Sequence, residues 1–152
     1  MTADLRGFDY PLEPLRVRQQ WQLDALRVRL GTVLRKLTDA QQRLEDLRSQ
    51  HTARSRELSD HVSRRWDVAH HGGSLRWLAQ LRSMLQQLEG EIAELRALKS
   101  DLGAQCLACQ HRLDVLDTHR NEVQSDFARE ETRRTANEAD REWLTRLEAS
   151  RP

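Results

Sequence analysis

Apolar residues recur along most of this chain in alternating steps of three and four positions, in two separate series. The first series consists of Leu23, Leu26, Leu30, Val33, Leu37, Ala40, Leu44 and Leu47. The second series is longer and consists of Leu78, Leu81, Leu85, Leu88, Ile92, Leu95, Leu102, Cys106, Cys109, Leu113, Leu116, Val123 and Phe127, with Lys99 and Arg120 as polar interruptions. A stripe this narrow suits burial against one other helix. The pattern therefore predicts two long helices that pair through these residues, which we call the seam.

One short segment between the two series, His70 to Gly73, has the residues of a turn. Glycine adopts positive φ past a helix end, and Ser74 is a good N-cap for a following helix. We predict a first helix at about 12–68, a turn at 70–73 and a second helix at about 75–147. The seam turns polar between residues 51 and 56, but no Gly or Pro occurs there, so the first helix is expected to continue.

These elements predict an all-α fold with a single domain over residues 1–152. A short connection makes neighbouring helices antiparallel. The second helix is expected to pair with the first up to about residue 130 and then to overhang as a polar tail. The predicted architecture is thus a long antiparallel two-helix coiled-coil hairpin with an overhanging C-terminal helix.

Composition supports this prediction and narrows the classes of function. Hydrophobic residues make up 38% of the 152 residues and charged residues 32%, as is typical of a coiled coil or long helix. No apolar run approaches the ~20 residues of a membrane span, so we expect no membrane insertion and a cytoplasmic protein. The net charge of +1 predicts no strong bulk attraction to nucleic acid.

The chain has few residues that suggest catalysis or metal binding. Cys106 and Cys109 form a CxxC pair, but both fall on the seam, and a zinc site needs four ligands. His70 and His71 are adjacent histidines in the predicted turn, where we expect them to be solvated. A phosphate-binding glycine loop, HExxH and GxSxG are missing from the sequence. We predict no enzyme, no cofactor and no metal; thiol chemistry at the two cysteines would require a perturbed thiol, which a titration would reveal.

The first helix carries an unusually basic surface. Positions flanking its seam are Arg27, Arg29, Lys36, Arg43 and Arg48. Such positions usually pair with acids on the partner helix. Two interpretations stay open: a solvated charged face, or a landing surface for an acidic protein partner.

All four tryptophans, Trp21, Trp66, Trp77 and Trp143, miss the seam positions. Tryptophan is a favoured anchor of protein interfaces. Trp77, Leu81, Met84 and Leu88 form an apolar stripe wider than the seam requires. A partner site and local packing are both compatible with this stripe.

Two stretches of the sequence resemble those of a known family. The opening segment Phe8-Asp-Tyr-Pro-Leu-Glu-Pro-Leu15, followed by Arg16-Val-Arg18, is similar to the aromatic-x-Leu-x-x-Leu-x-x-x-Arg beginning of the FliJ/YscO family. Residues 113–139, with Leu113-Asp-Val-Leu116, Arg120-Asn-Glu122, Arg133-Arg134 and Asn137-Glu-Ala139, resemble its charged C-terminal pattern. Members of this family are small coiled-coil stalk proteins of type III secretion systems.

The resemblance implies a stalk that couples the hexameric secretion ATPase to the cytoplasmic domain of the export-gate membrane protein, in a flagellar or injectisome apparatus. It implies gate contact through an apolar patch after the turn, whose matching positions are Trp77, Leu81, Met84 and Leu88. The chain departs from the pattern where Met84 replaces a small residue and Leu88 a polar one. Contact with the ATPase is expected through the basic residues of the first helix, which are Arg16, Arg18, Arg27, Arg29, Arg35 and Lys36.

The same resemblance implies a location peripheral to the inner-membrane secretion apparatus, with secretion chaperones as a further class of partner. The alternative function is a generic coiled-coil scaffold or a nucleic-acid-associated adaptor. Several phosphate contacts would give nonspecific DNA binding a steep dependence on salt, whereas a stalk should show none.

Overall fold

The computed structural model of the chain describes residues 5–62 and 68–150. It contains two helices, α1 at Glu13–Val62 and α2 at Val68–Ala149. Helix accounts for 94% of these residues, and they include no strand. The two long helices pack against each other, consistent with the predicted helical hairpin. The all-α prediction is confirmed.

The predicted turn at 70–73 is wrong, because α2 begins at Val68 and runs through His70, His71 and both glycines. Neither Gly72 nor Gly73 has positive φ. Each glycine costs about 1 kcal/mol against alanine inside a helix. In this part of α2, His71 is half-buried and Ser74 is buried, so the helix is packed on both sides of the two glycines. Ser74 is therefore a packed helix residue, and not the N-cap that we predicted.

We predict the end of the first helix at about residue 68, and helix α1 is described as far as Val62. Residues 63–67, including Trp66, lie outside the described residues. The helix is continuous through residues 51–56, as expected from the absence of Gly and Pro there.

Contacts divide the chain into two units. Unit 1 consists of Met1–Asp24 and Leu107–Pro152. In unit 1, the segment before α1 and the first turns of α1 pack against α2. Leu23, Cys109 and Leu113 are buried in its seam, and Tyr10 is 4% exposed although it precedes the helix.

Unit 2 consists of Ala25–Cys106. Its main apolar cluster joins Leu37 and Ala40 of α1 to Leu88 and Ile92 of α2. Leu44, Leu47 and Leu95 pack against this cluster. These residues all belong to the two predicted series, so the prediction that the series form the helix–helix interface is confirmed. Lys99 is exposed, as its polar character at a seam position suggests.

Two further observations concern the exposure and the hydropathy of the helices. Every residue from 132 to 150 is exposed. No helix in the described part of the chain combines the length and apolar character needed to cross a membrane.

Candidate interaction surfaces

The opening segment is bound to α2 in unit 1 by aromatic and polar contacts. The Tyr10 hydroxyl lies 2.8 Å from Nδ1 of His119 and 3.3 Å from the carbonyl oxygen of Leu116, to which it can donate a hydrogen bond. The rings of Phe8 and Phe127 pack in a tilted arrangement with their centroids 5.6 Å apart. The segment before α1 is therefore anchored to α2 at Phe8 and Tyr10.

An ion-pair cluster lies beside these contacts, at the start of α1. The Arg16 guanidinium donates two hydrogen bonds through Nε and Nη2 to the Glu13 carboxylate, at 3.0 and 2.7 Å. A second carboxylate, that of Asp117 on α2, lies 3.5 Å from Nη1 of Arg16. Arg120 also approaches Glu13, with Nε 3.8 Å from Oε2. The cluster joins α1 to α2 by charge.

These interactions shift the pKa of both central groups. The hydrogen bond from Arg16 is the main reason that the pKa of Glu13 lies below its ordinary value, and the charges of Arg16 and Arg120 act in the same direction. The pKa of Arg16 is raised, mainly by its hydrogen bond to Glu13 and also by the charges of Glu13 and Asp117. Both groups therefore stay ionised at neutral pH, and the cluster remains charged.

The six basic residues predicted to contact an ATPase differ in their exposure. Arg16 is half-buried and occupied by Glu13 and Asp117. The other five predicted residues are exposed; they are Arg18, Arg27, Arg29, Arg35 and Lys36. Within residues 5–62 and 68–150, Arg18, Arg29, Arg35 and Lys36 make no ion pair, so their charges face solvent.

The four predicted gate-contact residues also separate into two pairs. Trp77 and Met84 are 46% and 42% exposed, whereas Leu81 and Leu88 are 2% and 7% exposed. Leu81 and Leu88 belong to the seam and hold α2 against α1. Trp77 and Met84 are available to a partner, and the neighbouring Leu75 is 49% exposed as well.

Two grooves were not predicted from the sequence. In unit 1, Trp21 is 72% exposed and lines an open groove of ≈ 770 Å³ together with Tyr10, Pro14 and Arg18. In unit 2, a groove of ≈ 450 Å³ opens between the helices beside Met84. The absence of Trp21 from the seam was a usable signal, since a tryptophan outside the seam of a helix pair has no core to enter. The second groove is lined by residues of both helices, so it depends on how the helices pair. Neither apolar series alone predicts that pairing.

The groups considered for metal or redox chemistry are dispersed. Cys109 is buried, and its Sγ lies 3.3 Å from the carbonyl oxygen of Gln19, whereas Cys106 is half-buried. The His61 and His70 rings meet edge to face with centroids 6.3 Å apart. No cluster of three or more His, Cys, Asp or Glu side chains suited to a metal ion occurs among the described residues.

Comparison with known proteins adds no relative. No family model matches the chain, and neither the curated proteins nor the solved structures give a significant match.

Proposed function

We propose that this protein is a non-enzymatic stalk of a type III protein export apparatus, which couples the hexameric export ATPase to the cytoplasmic domain of the export gate. The resemblance to the FliJ/YscO family lies in two distant stretches, the opening segment and residues 113–139. One observation carries the proposal: these stretches contact each other, through Tyr10 with His119 and Phe8 with Phe127. A helical hairpin brings its opening segment beside its second helix, and these contacts join the two stretches that carry the resemblance into one surface.

Contact with the ATPase is assigned in this proposal to the exposed basic residues of α1. Arg29, Arg35 and Lys36 are exposed, and none of them forms an ion pair within the described residues of unit 2. Exposed pairs contribute ~1 kcal/mol or less to folding, so leaving these charges unpaired costs the fold little. A positive surface of this kind accelerates association with an acidic opening, in a salt-sensitive way. Arg16 is excluded from the contact because Glu13 and Asp117 already occupy it.

Contact with the gate is assigned to Trp77 and Met84. Both side chains are nearly half exposed and lie on one face of α2, seven residues apart. Tryptophan and methionine are enriched in protein interfaces, where they fill apolar pockets. Leu81 and Leu88 support this face from the seam and do not contact the partner directly.

The proposal includes the predicted overhang of α2 beyond its partner helix. The exposure of every residue from 132 to 150 supports it, because a helix paired on one side would bury a stripe. A cytoplasmic location at the inner-membrane apparatus, with secretion chaperones as further partners, follows from the same proposed role.

The test uses the purified chain with the purified export ATPase of the same cell. Reversal of Arg27, Arg29 and Lys36 to Glu should weaken ATPase binding and stimulation by about tenfold or more at low salt. The matched control reverses Arg82, Arg96 and Arg112, three exposed arginines of α2, and makes the same change in net charge. The control variant should behave as wild type.

Two results would contradict the proposal. Wild-type stimulation by the α1 variant would mean that its basic residues are only a solvated surface. Failure of the unmodified chain to bind the ATPase, combined with DNA binding that falls steeply with salt, would favour the nucleic-acid-associated scaffold.

A further inference from the structure

The two sides of the helix pair in unit 2 differ. On one side, Arg48 and Glu89 join the helices by an ion pair of 3.0 Å. On the other side, which we call the open side, a groove of ≈ 450 Å³ lies between the helices. Its lining includes Arg43, Leu47, Gln50, Met84, Leu88 and Glu91. Leu47 and Leu88 form its apolar floor because they belong to the seam.

On the open side, α2 carries apolar residues beyond those of the seam. Trp77, Met84 and Leu98 fall on one seven-residue repeat, in which Glu91 is the polar member, and they are 46%, 42% and 41% exposed. A helix that is apolar at the seam and at one flank has a stripe wide enough for two neighbours. Within the described part of unit 2, α1 is its only neighbour. The apolar stripe of α2 is therefore wider than the part that α1 covers.

The row of α1 that faces the open side is basic. Arg43 and Gln50 line the groove together with Met84 and Glu91, so these four residues lie on the same side of the pair. The seven-residue repeat extends the α1 row to Lys36 and Arg29. Among the described residues, none of Arg29, Lys36 and Arg43 forms an ion pair. Glu91 is the single acid of the opposing α2 row from residue 77 to 98.

Acids elsewhere near the groove do not neutralise this row. Asp46 also lines the groove, and its carboxylate accepts a hydrogen bond from Gln42 at 3.1 Å. Arg43 and Glu91 line the same groove without forming an ion pair. The open side therefore combines an apolar row on α2 with a row on α1 whose cations are not matched across the groove.

We propose that the open side of unit 2 is the docking site for an amphipathic helix of another protein, with apolar residues against Met84 and Leu98 and acidic residues facing Lys36 and Arg43. Charge complementarity favours this occupant, because acidic residues along one flank of the docked helix would lie opposite Arg29, Lys36 and Arg43 of α1. The exposed segment 132–150 of a second copy fits less well, since it contains four acidic and four basic residues and has no acidic row. The inference goes beyond the stalk role and does not depend on it. A helix docked here would cover Met84 and Lys36 and would therefore compete with the gate and ATPase contacts proposed for these two residues.

The experiment uses two labelled synthetic helices of about four heptads, long enough to be helical in water. Both carry leucine at seam positions; one has glutamate at the flanking positions and the other has lysine. Fluorescence anisotropy measures their binding to the full-length chain at low and high salt. We expect the glutamate helix to bind at least about tenfold more tightly than the lysine helix, with an affinity that falls as salt rises.

Variants of the chain locate the contact. Lys36→Glu combined with Arg43→Glu should weaken binding of the glutamate helix about tenfold, whereas the control Arg82→Glu combined with Arg96→Glu, at two exposed arginines on the other flank of α2, should not. Met84→Ser should also weaken binding, while Leu107→Ser, at an exposed leucine of unit 1, should not. Circular dichroism of each variant verifies that it is folded.

Three outcomes would overturn the proposal. The first is no binding of the glutamate helix at about 100 µM, which is weaker than ordinary helix-in-groove recognition. The second is equal binding of the glutamate and lysine helices. The third is self-association of the chain in analytical ultracentrifugation that Met84→Ser abolishes, since the open side would then be occupied by a second copy.

Discussion

Leu81 and Met84 lie three residues apart on α2, yet the structure assigns them opposite roles. Leu81 is 2% exposed in the seam, whereas Met84 is 42% exposed at the edge of the groove. Truncation of each residue to alanine should therefore have very different effects on folding. Both residues were expected from the sequence to contact a partner.

The expected magnitudes follow from burial. Full burial of a leucine side chain stabilises a protein by about 1.5–3 kcal/mol, and the cavity left by truncation adds to the cost. Leu81→Ala should thus lower the free energy of unfolding by ~3 kcal/mol. Met84 buries only about half of its side chain, and alanine is the better helix former, so Met84→Ala should cost ~1 kcal/mol or less.

The assay is urea unfolding followed by circular dichroism at 222 nm, with the free energy taken from the midpoint and slope. Leu107→Ala is the matched control, because Leu107 is 74% exposed and should change the free energy by less than ~0.5 kcal/mol. Equal losses for Leu81→Ala and Met84→Ala would refute the assignment of Leu81 to the seam. This difference also affects how partner binding by charged variants is interpreted. Leu81→Asp should weaken partner binding by unfolding α2 locally, whereas Met84→Asp tests the contact with the partner itself.

Three further predictions concern the opening segment, the ion pair at the start of α1 and the two cysteines. Tyr10→Phe removes the hydroxyl that lies 2.8 Å from His119, so it should lower the free energy of unfolding by about 1 kcal/mol in the same assay, and an unchanged value would contradict the anchoring of the opening segment. Because the pKa of Glu13 is lowered in the folded chain, its contribution is complete above its ordinary value of 4.5 and is lost as the pH falls through the lowered pKa. Glu13→Gln should therefore be less stable than wild type at neutral pH, and the difference should disappear in acid; a difference that is constant with pH would argue against the ion pair. Cys109 is buried and Cys106 is half-buried, so iodoacetamide should modify Cys106 faster than Cys109. Mass spectrometry of the two single Cys→Ser variants measures each rate. Faster modification of Cys109 would contradict its place in the seam.

The seam could be predicted from the sequence because it depends on a local repeat. Residues three and four positions apart lie on one face of a helix whatever the helix packs against. The apolar series therefore identified Leu37, Ala40, Leu88 and Ile92 as interface residues before their partners were known. The continuity of α1 through 51–56 could be predicted for a similar reason, since only Gly or Pro would have interrupted the local hydrogen bonds.

The turn prediction failed because glycine allows a helix to end but does not require it to end. Gly72 and Gly73 adopt helical φ, and the residues around them are packed, with Ser74 buried and His71 half-buried. Whether a helix continues through two glycines depends on what the next turn packs against. That information comes from α1, so it is absent from the local sequence.

The partner surfaces required the tertiary structure for the same reason. The repeat places Trp77, Leu81, Met84 and Leu88 close together on α2, but only the position of α1 decides which of them it covers. Arg16 likewise belongs to the basic series in sequence, while its role depends on Asp117, a residue distant along the chain. The sequence by itself determined which face of each helix is apolar, because that follows from a period of 3.6 residues. The tertiary structure decided which polar and apolar side chains are left for partners, because that depends on contacts between residues that no local pattern relates.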